Sequence, residues 1–264
     1  MAQSLLKNVI RLGIAGWSLP PALRTVQAGP QSVLEHYAML FNAVEINSSF
    51  YRPHRLATYQ RWRLAVPESF RFAVKVPKSI THERRLVGCR DEINAFLTAV
   101  FGLGDRLGAL LVQLPPSFRF DAAVARDFFH AIRELTSVPI ACEARNASWF
   151  GNAVAAVFDE YRVTPVMAHP SPAGCNFSAS GNESGGFSYR RLHGSPRVYY
   201  SAYEAEYLQD VAAAILASVS EGGAGRPLGS EQWCIFDNTA GGAAWVDAQL
   251  LQRMVRAASG APPD

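Results

Sequence analysis

A chain of 264 residues with 49% hydrophobic and 18% charged residues has the make-up of an ordinary folded protein with a sizeable core, which excludes a disordered or fibrous chain. Its formal charge of +3 is mildly basic, suiting a small anionic partner and falling short of the basic stripe that binds duplex nucleic acid. Four scattered cysteines, Cys89, Cys142, Cys175 and Cys234, form no C-x-x-C pair, so neither a zinc cage nor a disulfide framework is indicated.

In chain order, short apolar runs rich in β-branched or aromatic residues alternate with stretches of helical periodicity. The expected strands are Arg11–Trp17, Ala43–Asn47, Phe70–Val76, Gly108–Leu114, Pro139–Ala144, Val163–Ala168, Phe187–His193 and Gln232–Asp237. Between them fall helices over Ser32–Phe41, Leu56–Leu64, Arg90–Arg106, Ala122–Thr136, Ala153–Tyr161, Ala205–Ser220 and Trp245–Ala258. Only the connection after the sixth strand lacks one: Pro170–Gly186 is rich in Ser, Gly, Asn and Pro and reads as a loop, either a lid or an inert crossing. Glu221–Gly229 reads as a surface connection and Gly260–Asp264 as a frayed tail. Eight strands alternating with seven helices, with no dividing linker, predict one (β/α)8 barrel of TIM type with parallel strands over residues 1–264, the helix after the sixth strand short or missing, its core about 10–258 and its tail 259–264. Met1 to Arg11 holds no apolar run with a cleavage site, and no segment approaches the ~18 apolar residues of a membrane span, so a cytoplasmic protein is expected.

Alternate residues of a barrel strand face the axis or the helix layer, so one parity choice per strand predicts which side chains share the interior. Placing Val44 and Ile46, Phe72 and Val74, Leu110 and Val112, Cys142 and Ala144, and Cys234 and Phe236 outward turns a polar set inward. That set is Glu45, Asn47, Lys75, Gln113, Glu143, Arg145 and Asp237, with Arg191 and His193 sharing a parity on the seventh strand. All lie near the C-terminal ends of their strands, where barrel enzymes build active sites. Paired charges at that end point to function, because apolar residues fill a barrel at lower cost; an ion network plugging the mouth is the alternative.

Aromatic residues fall at the same level. Tyr51 and Trp149 are expected to wall a pocket and Phe50 to pack. Lys78, His82, Arg84 and Arg85 form a basic cluster after the third strand, suited to phosphate or carboxylate unless it is only a solvated loop. Small residues after Asp237 and Asn238 lead into the last helix, where backbone N–H groups can approach an anion. Neither G-x-G-x-x-G opening a helix after the first strand, nor G-x-x-x-x-G-K-[ST], H-E-x-x-H or G-x-S-x-G occurs, so no cofactor is indicated by motif.

In these same segments the chain resembles the YecE-like family, domain of unknown function 72. The matching stretches are Ile14-Ala-Gly-Trp17, Val44-Glu-Ile-Asn-Ser-Ser-Phe-Tyr51, Phe72-Ala-Val-Lys-Val-Pro77 with Ile80-Thr-His82, and Gln113-Leu-Pro-Pro-Ser-Phe118. They continue with Glu143-Ala-Arg145, Ser148-Trp149, Arg191-Leu-His-Gly194 and Phe236-Asp-Asn-Thr239 with Gly242-Ala243. The resemblance implies a parallel barrel and no particular reaction, cofactor or substrate. Relatives tend to end the sixth strand in an acid, whereas this chain has Ala168-His169-Pro170, which makes His169 a further candidate.

The leading expectation is acid–base or hydrolytic chemistry on a small polar, anionic and possibly phosphorylated substrate at the mouth. Glu45, Glu143, His193 and Asp237 are the catalytic candidates, with Glu45 or Glu143 as base and His193 as proton donor. Asn47, Tyr51, Lys75, His82, Gln113, Arg145, Trp149, Arg191 and Asn238 are the substrate-binding ones. One alternative is a metal-dependent phosphodiesterase or nuclease with Glu45, Glu143, Asp237 and His193 as ligands, disfavoured by the cations crowding the same space. Another is a non-catalytic ligand-binding or nucleic-acid-binding module, the latter using Arg190, Arg191, Arg197, Tyr199, Tyr200 and Tyr203 and not favoured.

Overall fold

The computed structural model describes residues 10–19, 32–171, 187–220 and 231–259. Its strands are β1 (Ile10–Ile14), β2 (Ala43–Ile46), β3 (Arg71–Lys75), β4 (Leu107–Gln113), β5 (Ile140–Glu143), β6 (Val163–His169), β7 (Phe187–Leu192) and β8 (Glu231–Phe236). The helices are α1 (Val33–Leu40), α2 (Ser48–Tyr51), α3 (Leu56–Leu64), α4 (Arg90–Val100), α5 (Ala122–Leu135), α6 (Asn152–Glu160), α7 (Ala205–Ser220) and α8 (Ala243–Ala258). All seven ladders are parallel, in the order β1-β8-β7-β6-β5-β4-β3-β2, so the chain forms the expected eight-stranded barrel. Residues 172–186, which hold most of the expected loop after the sixth strand, lie outside the described residues, as do Glu221–Gly229 and Gly260–Asp264.

Helix starts follow local chemistry. Ser32 opens α1 with a capping box, its hydroxyl accepting from Glu35 N–H while the Glu35 carboxylate accepts from Ser32 N–H. Asp121 opens α5 by accepting from the N–H groups of Ala123 and Val124 at 2.9 and 3.1 Å. The helix expected over Arg90–Arg106 instead ends at Val100 and tightens into a 3-10 turn over Phe101–Arg106. Gly104 there adopts φ +54°, and a Cβ on Gly102 would lie 2.8 Å from the Leu56 carbonyl oxygen, so glycine allows the chain to press against α3. The segment expected as a loop after the third strand contains a π-helical turn, Ser79–Glu83.

The two faces of the strands carry different chemistry. Val44, Ile46, Phe72, Val74, Leu110, Val112, Ile140 and Cys142 pack outward under the helices. Facing the axis are Ala43, Ala73, Ala109 and Ala141 on one side and Phe187, Tyr189, Trp233 and Ile235 on the other. Small residues on β2 to β5 thus make room for large rings from β7 and β8, as close packing requires. The Tyr189 and Trp233 rings stack at 5.7 Å, and Gly108 gives way to the indole, since a Cβ there would meet Trp233 at 2.5 Å. At the lower end Arg11 binds Glu231 and the Ser69 carbonyl. Above the rings the interior turns polar.

The barrel closes between β1 and β2, where one bridge, Ala15 to Glu45, replaces a full ladder among the described residues. Side chains complete this seam. Tyr37 Oη accepts from Ile14 N–H at 2.9 Å and donates to the Ala43 carbonyl at 2.8 Å. Asn42 accepts from Leu12 N–H and donates to the Ile10 carbonyl. A Cβ on Gly13 would lie 2.1 Å from the Ala43 oxygen, so only glycine lets the two strands come this close. Tyr37→Phe should therefore strand a buried N–H and a buried carbonyl and cost about 1–3 kcal/mol. The expected readout is a lower urea midpoint at unchanged slope, and an unaltered midpoint would show that the seam does not depend on this hydroxyl.

Candidate functional site

Glu45, Lys75, Glu143, Arg191 and Asp237 end or follow five different strands at the same inward parity, which brings them together above the ring layer. Arg191 stands in the middle and is 0% exposed. Its Nε and Nη2 donate to the two oxygens of Glu45 at 3.0 and 2.7 Å, Nη2 also donates to Asp237 Oδ2 at 3.0 Å, and Nη1 donates to Glu143 Oε2. Tyr189, one turn of the pleat below, donates its hydroxyl to Glu45 Oε2 at 2.9 Å. Burial opposes the charge on Arg191, but Glu143, Glu45 and Asp237 more than offset it and hold the guanidinium ionised. Burial likewise raises the Glu143 carboxyl, and Arg191, His193 and Arg145 together overcome it, leaving Glu143 well below the usual carboxylate range.

His193, buried just after β7, lies between two of these acids. Its Nδ1 is hydrogen-bonded to Asp237 Oδ2 at 3.0 Å. Its Nε2 faces Glu143 Oε1 at 3.2 Å and forms an ion pair with it when the ring is protonated. Burial pushes the imidazole down; Glu143 and the Asp237 hydrogen bond push it up further, so the net shift favours imidazolium. Asp237 is held below the ordinary range despite its burial, by Arg191 first and then His193.

Around this centre are the groups that reach the mouth. Arg145 donates Nε to Glu143 Oε1 at 2.9 Å and Nη1 to Tyr199 Oη at 3.1 Å, and Gln113 also donates to Glu143 at 3.0 Å. Asn47 Nδ2 is 3.5 Å from Asp237 Oδ1. The Lys75 ammonium is 4.3 Å from the centroid of the Phe50 ring, and His82 meets the same ring edge-on at 4.9 Å. The hydroxyl of Ser49 donates to the carbonyls of Ile46 and Lys75, clamping α2 to the end of β3 and setting Phe50 beside the ammonium. Burial, then the charge of Arg191, pulls Lys75 down to about 8 against the opposing pull of Glu45, Asp237 and Glu143.

Several expected members lie elsewhere. Trp149 is fully buried in the outer core, donating to the Phe118 carbonyl, because its 3-10 turn folds the indole back over the helix layer. Phe50, expected only to pack, occupies the site instead. Tyr51 is 72% exposed on the rim. Asn238 has the outward parity and binds Ser201 O and Asp247 Oδ2. His169 also faces away from the axis, stacked on Tyr207 at 4.4 Å with Nδ1 3.2 Å from Tyr203 Oη. In the basic cluster Lys78 pairs with Glu83 and Arg84 with Glu92, so those charges are already matched at the surface. The Arg/Tyr set singled out for nucleic acid is split: Arg191 and Tyr203 are buried, while Arg197 covers the Tyr200 ring at 3.9 Å. Tyr189 was not among the residues singled out from the sequence, although it shares the parity of Arg191, and Tyr199, named there only for nucleic acid, reaches His193 and Arg145 through a backbone at φ +71°.

Arg191 is the counter-charge of three carboxylates at once, so replacing it leaves buried anions unpaired. Arg191→Met should lower unfolding free energy by about 3–5 kcal/mol, measured by denaturant titration. A loss below about 1 kcal/mol, the scale of an exposed pair, would mean that water reaches these carboxylates.

The family model "Protein of unknown function DUF72" matches residues 11–264. Over 110 residues the chain is 37% identical to the UPF0759 protein YecE of Escherichia coli K12, a match covering 42% of this chain and 39% of that protein. A second match, 28% identical over 151 residues, covers 54% of this chain and 52% of the UPF0759 protein YunF of Bacillus subtilis 168. The aligned segments thus span about half or less of these relatives' lengths. Among solved structures, a DUF72 family protein from Thermotoga maritima superposes with a TM-score of 0.77 at 21% identity, covering 94% of this chain and 99% of that one. Another from Enterococcus faecalis V583 gives 0.76 at 23% identity with 97% of both chains covered. At those identities the likeness carries the barrel and no reaction. Matched by the family model along nearly its whole length, this chain belongs to the DUF72 family of proteins of unknown function.

Proposed function

We propose that the protein is an enzyme that holds a small anionic substrate at the mouth of the barrel and protonates it from His193. The observation that carries this reading is the setting of His193: a buried imidazole held between two carboxylates, Asp237 Oδ2 at 3.0 Å from Nδ1 and Glu143 Oε1 at 3.2 Å from Nε2. Asp237 fixes the ring through Nδ1, so the transferable proton sits on Nε2. That is the arrangement of an oriented general acid. Protonated His193, Lys75, Arg145 and Arg191 outnumber Glu45, Glu143 and Asp237 by one charge, so the mouth favours an anion. Glu45, carrying Arg191 and Tyr189 on its two oxygens, serves as an anchor in this scheme, and Glu143 is the carboxylate nearest Nε2.

Metal-assisted hydrolysis through Glu45, Glu143, Asp237 and His193 fits less well. The guanidinium of Arg191 touches all three carboxylates and so occupies the position a divalent ion would need. Among the described residues no three acids, histidines or cysteines are arranged to hold an ion, and no helix is long and apolar enough to cross a membrane.

Two measurements test the reading. The first is a thermal-shift panel of inorganic phosphate, sugar phosphates and organic acids. A binder at 100 times its Kd should stabilise the fold by ~2.7 kcal/mol, and at a fixed concentration more at pH 6.5 than at pH 9 because Lys75 loses charge in between. A panel without any shift, or a shift that persists in a Lys75→Met, Arg145→Met double variant, contradicts the assignment. The second is the His193 ring titration by NMR, identified by its loss in His193→Gln. Its folded pKa is raised, so the stability it contributes is complete below about 6.5 and is lost as pH rises through the folded value. Asp237→Asn should lower the midpoint, and an unchanged midpoint would remove Asp237 as the group that holds the imidazolium.

A further inference from the structure

Lysine is scarce in this chain. Of its 25 Lys and Arg residues only Lys7, Lys75 and Lys78 are lysines, and Lys75 lies inside the barrel mouth at 7% exposure. Lys78, by contrast, is half exposed and paired with Glu83 at 3.2 Å. Three carboxylates surround the level of Lys75, yet among the described residues their ion pairs run to Arg191, Arg145 and His193 and none to Lys75. The face of Phe50 takes the place of a counter-ion. A lysine used only to neutralise charge would sit in an ion pair, and arginine would do the same work with a fixed charge. What lysine alone offers at this position is an amine that can release its proton. It can do so here without breaking a salt bridge, and burial with the adjacent Arg191 charge lowers the cost of doing so.

We infer that Lys75 is a nucleophilic amine that forms an imine with the carbonyl group of a small anionic carbonyl compound, a 2-oxo acid or a phosphorylated ketone, whose anionic group is held by Arg145 and His193. This rests on the anion-binding reading above. The ammonium first gives a proton to water. The amine lone pair then forms a bond to the carbonyl carbon while the C=O π pair moves to oxygen, and one of the two nitrogen protons passes to that oxygen to give a neutral carbinolamine. Nitrogen loses its remaining proton as that hydroxyl is protonated and departs as water, leaving a C=N bond. No oxidant or reductant takes part. Phe50 covers one side of the nitrogen, so a carbonyl carbon must approach from a side other than that ring.

The test incubates the full chain with pyruvate, and separately with dihydroxyacetone phosphate, in the presence of sodium cyanoborohydride, followed by intact-mass and tryptic-peptide mass spectrometry. The expected result is one reduced adduct per chain with at least one probe, located on Lys75 by the missed cleavage between Lys75 and Val76. Its rate should rise as pH passes through about 8. Because mapping is done on the unmodified protein, the answer does not depend on a variant folding. Lys75→Arg, which keeps a positive charge but has no nucleophilic amine, should abolish the adduct. Label confined to Lys7, Lys78 or the N-terminus overturns the inference. If no adduct forms while anions still shift the midpoint, the imine is wrong and the anion site stands. If neither occurs, both readings fall together.

Discussion

The contact on which the upper half of this barrel depends is the one between the Arg191 guanidinium and the carboxylates of Glu45, Glu143 and Asp237. Moving a single ion from water into a protein interior costs several kcal/mol even after relaxation, and here four are buried within hydrogen-bonding distance. The arrangement holds because a guanidinium is a rigid fork with donors on three sides, so one cation can satisfy acids arriving from β2, from β5 and from the end of β8. A lysine at 191 would offer a point charge and lose the bidentate grip on Glu45. With the acids committed to Arg191, the remaining groups acquire their properties by default. Asp237 Oδ2 serves Arg191 and His193 together, Glu143 has one oxygen for Arg145 and Gln113, and Lys75 is left without an acid of its own.

The layer beneath gives that network its position. Tyr189 belongs to both: its ring stacks on Trp233 within the apolar plug, and its hydroxyl ends on Glu45. Because Ala43, Ala73, Ala109 and Ala141 leave space opposite, the two rings fill the lower interior and leave no room for water to reach Arg191 from below. The closing seam acts on the same residue from the side. Glu45 pairs with Ala15, and its carbonyl accepts from Gly16 N–H at 2.9 Å, so the strand that presents the Glu45 carboxylate is held by the contact that completes the barrel. Stability of closure and geometry of the site are therefore one problem in this chain.

Strand parity made most of this legible in advance. Once Val44 and Ile46, or Phe72 and Val74, are assigned to the helix layer, the pleat leaves Glu45 and Lys75 no other direction, and the same logic placed Gln113, Glu143, Arg191 and Asp237. Parity operates only inside strands, and the misplacements fall where strands end. Phe50 and Tyr51 are adjacent, and which ring turns inward is decided by the Ser49 clamp onto β3, a contact between residues 26 positions apart. Trp149 is folded outward by a turn whose Asn146 cap has no periodic signature. Tyr199 reaches the mouth only through a left-handed backbone that a tyrosine rarely adopts. Tyr189 shares the inward parity of Arg191, but a tyrosine two residues below it carries no sequence sign that its hydroxyl ends on an acid.

Whether the mouth is a site or merely a plug turns on how completely its polar groups are matched. A network that serves stability alone gains by satisfying every member, since each buried unmatched donor or acceptor costs about 1–3 kcal/mol. The lower pair does this: Arg11 meets Glu231 and the Ser69 carbonyl, and Glu231 also accepts from the Trp233 indole. The upper one does not. Among the described residues, Asn47 Oδ1 is buried beside Asp237 without a hydrogen-bond partner, and His193 Nε2 meets the Glu143 carboxylate alone, at 3.2 Å. Lys75 beside them carries no ion pair. Buried polar atoms without a hydrogen-bond partner also occur at the lower end, at Gln232 Nε2 and Arg106 Nε, so incomplete matching alone does not mark the mouth. What sets the mouth apart is that a buried amine without an ion pair and an unmatched amide oxygen lie beside three acids gathered on one guanidinium, a setting in which a polar ligand finds partners.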